Sequence, residues 1–183
     1  ETINQLISLF QAGDYEKAET LAISISKNNP LDSMCLKILG IIYFNSGNFS
    51  KALYVNQKAL KLAPNDPDIN NNLSVICNNL GRYEEAINYS KKALEIDINF
   101  VQAYGNLVDS LKAIKNYDDA YIYINKAIKL DPYKVEFQAS LADLFHRLGK
   151  IDDALITYKY AIKLNSSYYP AYINIAKILN DLE

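Results

Sequence analysis

The segment Gly47-Asn48-Phe49-Ser50-Lys51-Ala52 returns along the chain at a fixed spacing of 34 residues. Related segments begin at Gly13, Gly81, Lys115 and Gly149, and each ends in alanine. No insertion or deletion interrupts this register. A strict period of this size is typical of proteins that stack similar units, each covering the apolar face of the next. The period therefore predicts a surface groove without a pocket, suited to holding a partner.

Each repeat is predicted to contain two helices. Leu73, Cys77 and Leu80 recur at helical spacing in the first helix, and the second begins at the aromatic residue of the repeated segment. The predicted repeats are residues 1–32, 33–66, 67–100, 101–134 and 135–168, followed by the first helix of a further repeat at 169–183. We expect one continuous array, and we expect the chain to be a fragment of a longer protein.

Two columns of the repeat are almost entirely alanine. They comprise Ala18, Ala52, Ala86, Ala120 and Ala154, and then Ala59, Ala93, Ala127 and Ala161, where the first repeat has Ile25. A methyl-sized side chain lets two helices approach closely, so both columns are predicted to lie in the core. Pro30, Pro64 and Pro132 are predicted to stop the second helix of their repeats.

Acidic pairs open the second helix of three repeats, at Glu84-Glu85, Asp118-Asp119 and Asp152-Asp153. Paired carboxylates occur in catalytic sites, but carboxylates at a helix amino end also complement the helix dipole. The recurrence of the pairs at the same helix position favours the second role. The sequence therefore predicts no catalytic residues.

Composition excludes several classes of function. The net charge of −2 argues against binding nucleic acid or an anionic membrane surface. No apolar run approaches the ~18 residues of a membrane-spanning helix. Cys35 and Cys77 lie at different columns and are predicted to be buried, reduced thiols, consistent with the cytoplasm.

Cofactor and RNA sites are also not expected. His146 is the only histidine and has no cysteine near it in the repeat, so zinc has no ligand set. No glycine-rich phosphate loop is present, and we expect no cofactor. The 15 tyrosines could stack on RNA bases, but most fall on columns that face the core or the next repeat. Examples are Tyr43, Tyr83, Tyr104, Tyr117 and Tyr172.

The second repeat carries a family resemblance. It resembles the tetratricopeptide repeat at Leu36, Leu39-Gly40, Tyr43, Gly47, Phe49, Ala52, Ala59 and Pro64. The chain departs from that pattern at Lys115 in place of the turn glycine, at Ile98 and Ser166 in place of proline, and at Val108 in place of a small residue. The resemblance implies an all-α, right-handed solenoid of antiparallel helix pairs, with the first helices lining a concave groove that binds ligands.

One groove column is rich in asparagine. It consists of Asn4, Ile38, Asn72, Asn106, Ser140 and Asn174. An amide offers both donors and an acceptor, so such a column can hydrogen-bond a peptide backbone of any sequence. It is similar to the asparagine ladder of O-linked N-acetylglucosamine transferase. Asparagine is frequent throughout this chain, however, so a helix face that contacts only solvent is the alternative interpretation of this column.

The rest of the groove changes character along the chain. An apolar interface is predicted at the start, from Ile3, Ile7, Phe10, Met34, Ile38, Ile41 and Phe44. The polar groove residues are Lys37, Asn71, Asn78, Asn79, Asp109, Lys112, Asp143, His146, Arg147 and Lys177, together with the asparagine column. A second copy of the chain, a preceding segment or an apolar peptide could cover the apolar part.

The resemblance implies a function in binding rather than catalysis. The first hypothesis is a non-catalytic scaffold that holds a protein or extended peptide in its groove. The alternative is the substrate-recruiting region of a larger transferase, as in bacterial proteins where such repeats precede a transferase domain. A carboxylate clamp, as in chaperone-binding relatives, is incomplete. Lys37 and Asn72 match two of its positions, but Ile41, Gln102 and Asn106 do not supply the remaining set.

Overall fold

The computed structural model describes residues 3–28 and 32–182. Within these ranges the chain forms eleven α-helices and no strand, which confirms the all-α prediction. The helices are α1 (Ile3–Gln11), α2 (Tyr15–Asn28), α3 (Ser33–Asn45), α4 (Phe49–Leu62), α5 (Pro67–Asn79), α6 (Tyr83–Ile96), α7 (Val101–Ala113), α8 (Tyr117–Leu130), α9 (Val135–Arg147), α10 (Ile151–Leu164) and α11 (Tyr169–Asn180).

The helices group into two compact units, Glu1–Ile98 and Asn99–Glu183, called unit 1 and unit 2 below. In unit 1, α1 packs on α2, α3 on α4 and α5 on α6, and each pair also contacts the next. Unit 2 repeats this arrangement with α7 on α8, α9 on α10, and α11 on α10. Three-residue turns within the pairs make their helices antiparallel. Each unit is therefore built as a helical-repeat solenoid, and one continuous array stays a prediction.

The turn inside each helix pair has the same backbone form. The second residue after each first helix has φ of 76° at Gly13, 75° at Gly47, 72° at Gly81 and 73° at Gly149. Lys115, which replaces this glycine, adopts the same left-handed conformation at φ 61°. The second helices then begin at the predicted residue, as Tyr83 and Tyr117 show. The departure at Lys115 therefore changes the strain of the turn and keeps its shape.

The alanine columns lie in the core, as predicted. All nine alanines are completely buried, whereas Ile25 is half-buried. The acidic pairs lie in the first turns of α6, α8 and α10, as predicted. Pro64 and Pro132 each stand two residues after the end of their helix. The helices α6 and α10 end at the same repeat position with Ile98 and Ser166 in that column, so proline is not needed to stop the helix. Pro30 lies outside the described residues.

A second pair of core columns varies from repeat to repeat. One column lies on the first helix and the other on the second. In successive repeats the two columns hold Leu6 and Ala22, Gly40 and Asn56, Ser74 and Ser90, Val108 and Ile124, and Ala142 and Tyr158. All ten are buried. The repeats thus share one backbone arrangement, while the buried residues between the paired helices differ in size and polarity from repeat to repeat.

Candidate functional site

The first helices of unit 1 form one candidate surface, because α3 contacts both α1 and α5. We call it the first-helix face of unit 1. Most of the predicted apolar interface packs into its own unit. Ile3, Ile7 and Phe10 are half-buried against the core, and the Phe44 ring lies 5.3 Å from that of Phe49. Met34 is the more open member, at 41% exposure.

The position of Ile38 contradicts its predicted place in the groove. It was expected in the groove and in the apolar interface, but it is only 5% exposed and belongs to the buried core of unit 1. The reason is that α3 packs against helices on several sides, namely α1, α2, α4 and α5. Tyr172 was predicted to face the core or the next repeat, and it is 45% exposed, so it is not a core residue.

The asparagine column is therefore interrupted in unit 1. Asn4 is exposed, Ile38 is buried and Asn72 is half-buried. Asn72 makes no side-chain hydrogen bond within the described part of the chain. Of its neighbours on α5, Asn71 and Asn78 interact with other residues of the protein, and Asn79 donates to the carbonyl of Val75 over 2.9 Å. Asn72 thus keeps its full hydrogen-bonding capacity for a ligand.

Lys37 is occupied by the protein itself. Its ammonium donates to Asp66 over 3.1 Å and to Asp68 over 3.2 Å, at the start of α5. Burial is the largest influence on the Lys37 pKa and lowers it, but the hydrogen bonds and charges of both carboxylates together raise it above its usual value. The lysine is already neutralised, so it is poorly placed to clamp a terminal carboxylate.

A pocket opens between α3 and α5 on the first-helix face of unit 1, where a groove without a pocket was predicted. Its volume is about 240 Å³. It is lined by Gly40, Ile41, Phe44, Asn56, Asn72, Val75 and Ile76. Two of these were predicted in the apolar interface and one in the asparagine column, so the structure brings both predicted features to one place.

Asn56 is one of four lining residues that the sequence analysis did not place in the site, with Gly40, Val75 and Ile76. It is completely buried, and its Nδ2 donates to the carbonyl of Ala52 over 2.9 Å. Its Oδ1 accepts no hydrogen bond from any residue the structure describes. The amide lies against Gly40, where a β-carbon would clash with it. The available signal was an asparagine in a column that elsewhere reads Ala22, Ser90, Ile124 and Tyr158.

The first helices of unit 2 carry an ion-pair network instead. Lys112 on α7 contacts Asp109 at 3.1 Å, Ser140 at 3.0 Å and Asp143 at 3.3 Å. Arg147 contacts Asp143 at 3.0 Å. These predicted groove residues do come together, and their charged and hydrogen-bonding groups pair with one another. Of the others, Asn106 and His146 are half-buried, Asn106 has its own partner, and Lys177 is exposed.

Asn174 is also engaged. Its Nδ2 donates to the phenolic oxygen of Tyr158 over 3.0 Å, which joins α11 to α10. Burial raises the Tyr158 pKa to about 12, with a further upward contribution from the Asp143 charge, whereas the bond from Asn174 lowers it. Tyr158 therefore stays neutral at physiological pH and can serve as a permanent hydrogen-bonding group.

Other kinds of site are not found in the described ranges. Across residues 3–28 and 32–182, no group of His, Cys, Asp or Glu side chains is arranged to hold a metal ion. In the same ranges, no helix combines the length and apolar character needed to cross a membrane. Cys35 and Cys77 are free and buried, and burial raises the pKa of each thiol to about 11.

Sequence comparison settles the family. Models of the tetratricopeptide repeat match residues 3–67, 55–88, 101–134 and 137–167. The chain belongs to the tetratricopeptide-repeat family. No curated protein sequence matches this tetratricopeptide-repeat protein significantly.

Solved structures show the same fold at low sequence identity. YrrB, described as a tetratricopeptide-repeat protein with an unusual peptide-binding site, aligns with a TM-score of 0.80 at 17% identity, over 94% of this chain and 89% of its own. MamA 41-end from Desulfovibrio magneticus RS-1 aligns with a TM-score of 0.83 at 20% identity, over 90% and 93%. A thermophilic tetratricopeptide-repeat protein from Thermus thermophilus, TTC0263, aligns with a TM-score of 0.74 at 21% identity, over 97% and 96%.

Proposed function

We propose that this protein is a non-catalytic scaffold that holds a partner protein, through an extended segment, on the first-helix face of unit 1. The observation that carries the proposal is the pocket between α3 and α5. It combines apolar walls with Asn72, an amide that has no hydrogen-bonding partner in the described structure.

This combination suits a peptide in extended form. Such a segment presents backbone N–H and C=O groups along its length and side chains on alternate sides. The Asn72 amide can donate to a backbone carbonyl and accept from a backbone N–H. A neighbouring side chain can then enter the pocket, where burial of apolar surface stabilises the complex. YrrB, with its peptide-binding site, shares the fold and gives a precedent for peptide recognition.

Unit 2 is less suited to holding a backbone. Of its three counterparts to Asn72, Ser140 and Asn174 already bond to Lys112 and Tyr158, and Asn106 interacts with another residue of the protein. A ligand there would have to replace existing bonds, so each new bond would contribute little net free energy. We therefore assign the main contact to unit 1.

We also infer that the protein works in a reducing compartment, and we place it in the cytoplasm. Both cysteines are free, buried thiols, a usage common in proteins that are kept reduced. A homo-oligomer, one of the alternatives that the sequence left open, would use the same apolar residues as the peptide, so the two uses of the surface would exclude each other.

The test begins with a 12-residue random peptide library displayed on phage. A selected peptide is labelled, and its affinity is measured by fluorescence anisotropy for the parent and for Asn72→Ala. Loss of one hydrogen bond should weaken binding about 2- to 12-fold. Asn88→Ala is the matched control, because Asn88 is exposed on the second helix α6. Failure to select any peptide, or equal binding by Asn72→Ala, contradicts the proposal.

A further inference from the structure

The pocket in unit 1 has a counterpart in unit 2. Tyr158 and Asn174 stand three periods of 34 residues after Asn56 and Asn72. Tyr158 is 1% exposed and packs with Ala142 and Ile178 in one buried cluster. The residues that correspond to Ala142 and Ile178 are Gly40 and Ile76, which line the pocket. The pocket therefore corresponds to the space that the phenol ring of Tyr158 fills in unit 2.

The volume of the pocket and the lack of charge in its lining agree with an aromatic occupant. A cavity of about 150 Å³ with apolar walls can hold a benzene molecule, and this pocket offers about 240 Å³. None of its lining residues is charged, so a charged side chain would lose its hydration without gaining a partner. The walls from Ile41, Phe44 and Val75 favour a large apolar body.

One polar feature selects among aromatic side chains. The Oδ1 of Asn56 is buried and lacks a donor among the described residues, which is costly for a buried acceptor. A phenol that enters the pocket brings a hydroxyl donor at its tip, whereas a phenylalanine ring brings none. In unit 2, the phenol oxygen of Tyr158 accepts a hydrogen bond from Asn174, the counterpart of Asn72, so the phenol there also lies beside an amide.

We propose that the pocket between α3 and α5 binds a tyrosine side chain of the partner peptide. A rotation of the Asn56 amide turns its buried Oδ1 toward the pocket, where it accepts from the hydroxyl. The Asn72 amide bonds the peptide backbone beside the tyrosine. This inference rests on the proposed function and adds to it the residue that the scaffold selects. It predicts that the partner presents tyrosine in an extended segment.

The test uses three acetylated and amidated pentapeptides that differ only in the central residue, with alanine on both sides of Tyr, Phe or Leu. Each is titrated into the isotopically labelled full chain, and NMR follows the side-chain amide signals of Asn56 and Asn72. The Tyr peptide should shift both signals and bind about 2- to 12-fold more tightly than the Phe peptide. Equal affinities for Tyr and Phe overturn the proposal.

Three variants separate the pocket from the rest of the surface. Asn56→Leu keeps the size of the side chain and removes the acceptor, so the Tyr-to-Phe affinity ratio should fall to about one. Asn56→Tyr copies Tyr158, fills the pocket from inside and should abolish binding of all three peptides. Val75→Trp blocks the pocket from its wall if Asn56→Tyr fails to fold. Lys177→Trp is its control, at the same repeat position in unit 2.

The result also distinguishes this inference from the proposed function. If a library-selected peptide binds the parent and Val75→Trp equally well, the scaffold function stands and the tyrosine pocket is wrong. If no library peptide and no pentapeptide binds, both are wrong. If the Asn56 and Asn72 signals shift with protein concentration alone, and Val75→Trp removes that shift, the occupant is a second copy and our assignment to a partner peptide is wrong.

Discussion

The hydroxyl oxygens of Ser74 and Ser90 lie 2.6 Å apart in the buried contact between α5 and α6. Both residues are completely buried, so this hydrogen bond is shielded from water. The same two columns hold Gly40 beside Asn56 in the preceding helix pair. The interior of each helix pair is therefore matched locally, and a change in one column should be felt through its partner.

Ser74→Ala should destabilise the protein by about 1–3 kcal/mol, because it leaves a buried hydroxyl at Ser90 without its partner. The double variant Ser74→Ala with Ser90→Ala should lose less than the two single changes combined, since no unpaired hydroxyl remains. Urea denaturation of the four proteins measures the coupling free energy. A coupling near zero would show that the two hydroxyls do not depend on each other.

Ala86→Leu should destabilise the protein by about 1–3 kcal/mol through overpacking. Ala86 is completely buried, so the larger side chain has no free space. Because neighbouring repeats share interfaces, the damage should extend beyond one helix pair. Asn88→Leu, at an exposed position of the same helix, is the control and should change the melting temperature little. Circular dichroism melts compare the variants. An unchanged melting temperature for Ala86→Leu would contradict the assignment of the alanine column to the core.

Lys115→Gly should raise the stability of unit 2 by up to about 1 kcal/mol. A left-handed residue with a β-carbon costs roughly 1–2 kcal/mol, and glycine removes this cost at some entropic expense. Gly81→Ala is the reciprocal change. A β-carbon at residue 81 would meet no atom within 4 Å, so any loss of stability reports the backbone conformation alone. The idea fails if both substitutions shift the urea midpoint in the same direction.

Alkaline pH should weaken folding through the buried thiols. The Cys35 and Cys77 pKa values rise from 9.0 to about 11 on burial, so the folded protein keeps protons that the unfolded chain releases. Stability is therefore fully present below pH 9.0 and falls as the pH rises toward about 11. Urea denaturation at about pH 8 and about pH 10.5 measures the loss.

The variant Cys35→Ala with Cys77→Ala is the control for that pH dependence. It should start less stable because two buried side chains are shortened, yet it should lose less stability between the two pH values. An equal loss in parent and variant would assign the effect to other groups. Thiol reagents offer a second measurement, because neither buried cysteine should react before the chain unfolds.

Most of the fold could be predicted from the repeat period. Fixed spacing placed the helix starts at Tyr83 and Tyr117 and the buried alanines such as Ala86 correctly, because these depend on features shared by every repeat. The candidate site was predicted only in part. Asn72 and Phe44 were found from their groove columns, but the pocket depends on Asn56, which lies in a column that differs in every repeat. A periodic pattern describes what repeats have in common and cannot report a cavity formed where one repeat differs.

The full chain should sediment as a monomer, so that, of the three covers that the sequence left open for the apolar residues, a second copy is not the one. The structure shows that Ile38 is buried and that Phe10 and Phe44 pack beside Tyr15 and Phe49, so little of this surface remains to drive association. Sedimentation equilibrium over a concentration series gives the mass of the parent and of Ile41→Lys with Phe44→Asp. Both should remain monomeric, whereas the variant should lose the tyrosine peptide, because it places two charges in the lining of the pocket. A parent that dimerises and a variant that does not would instead assign this face to self-association.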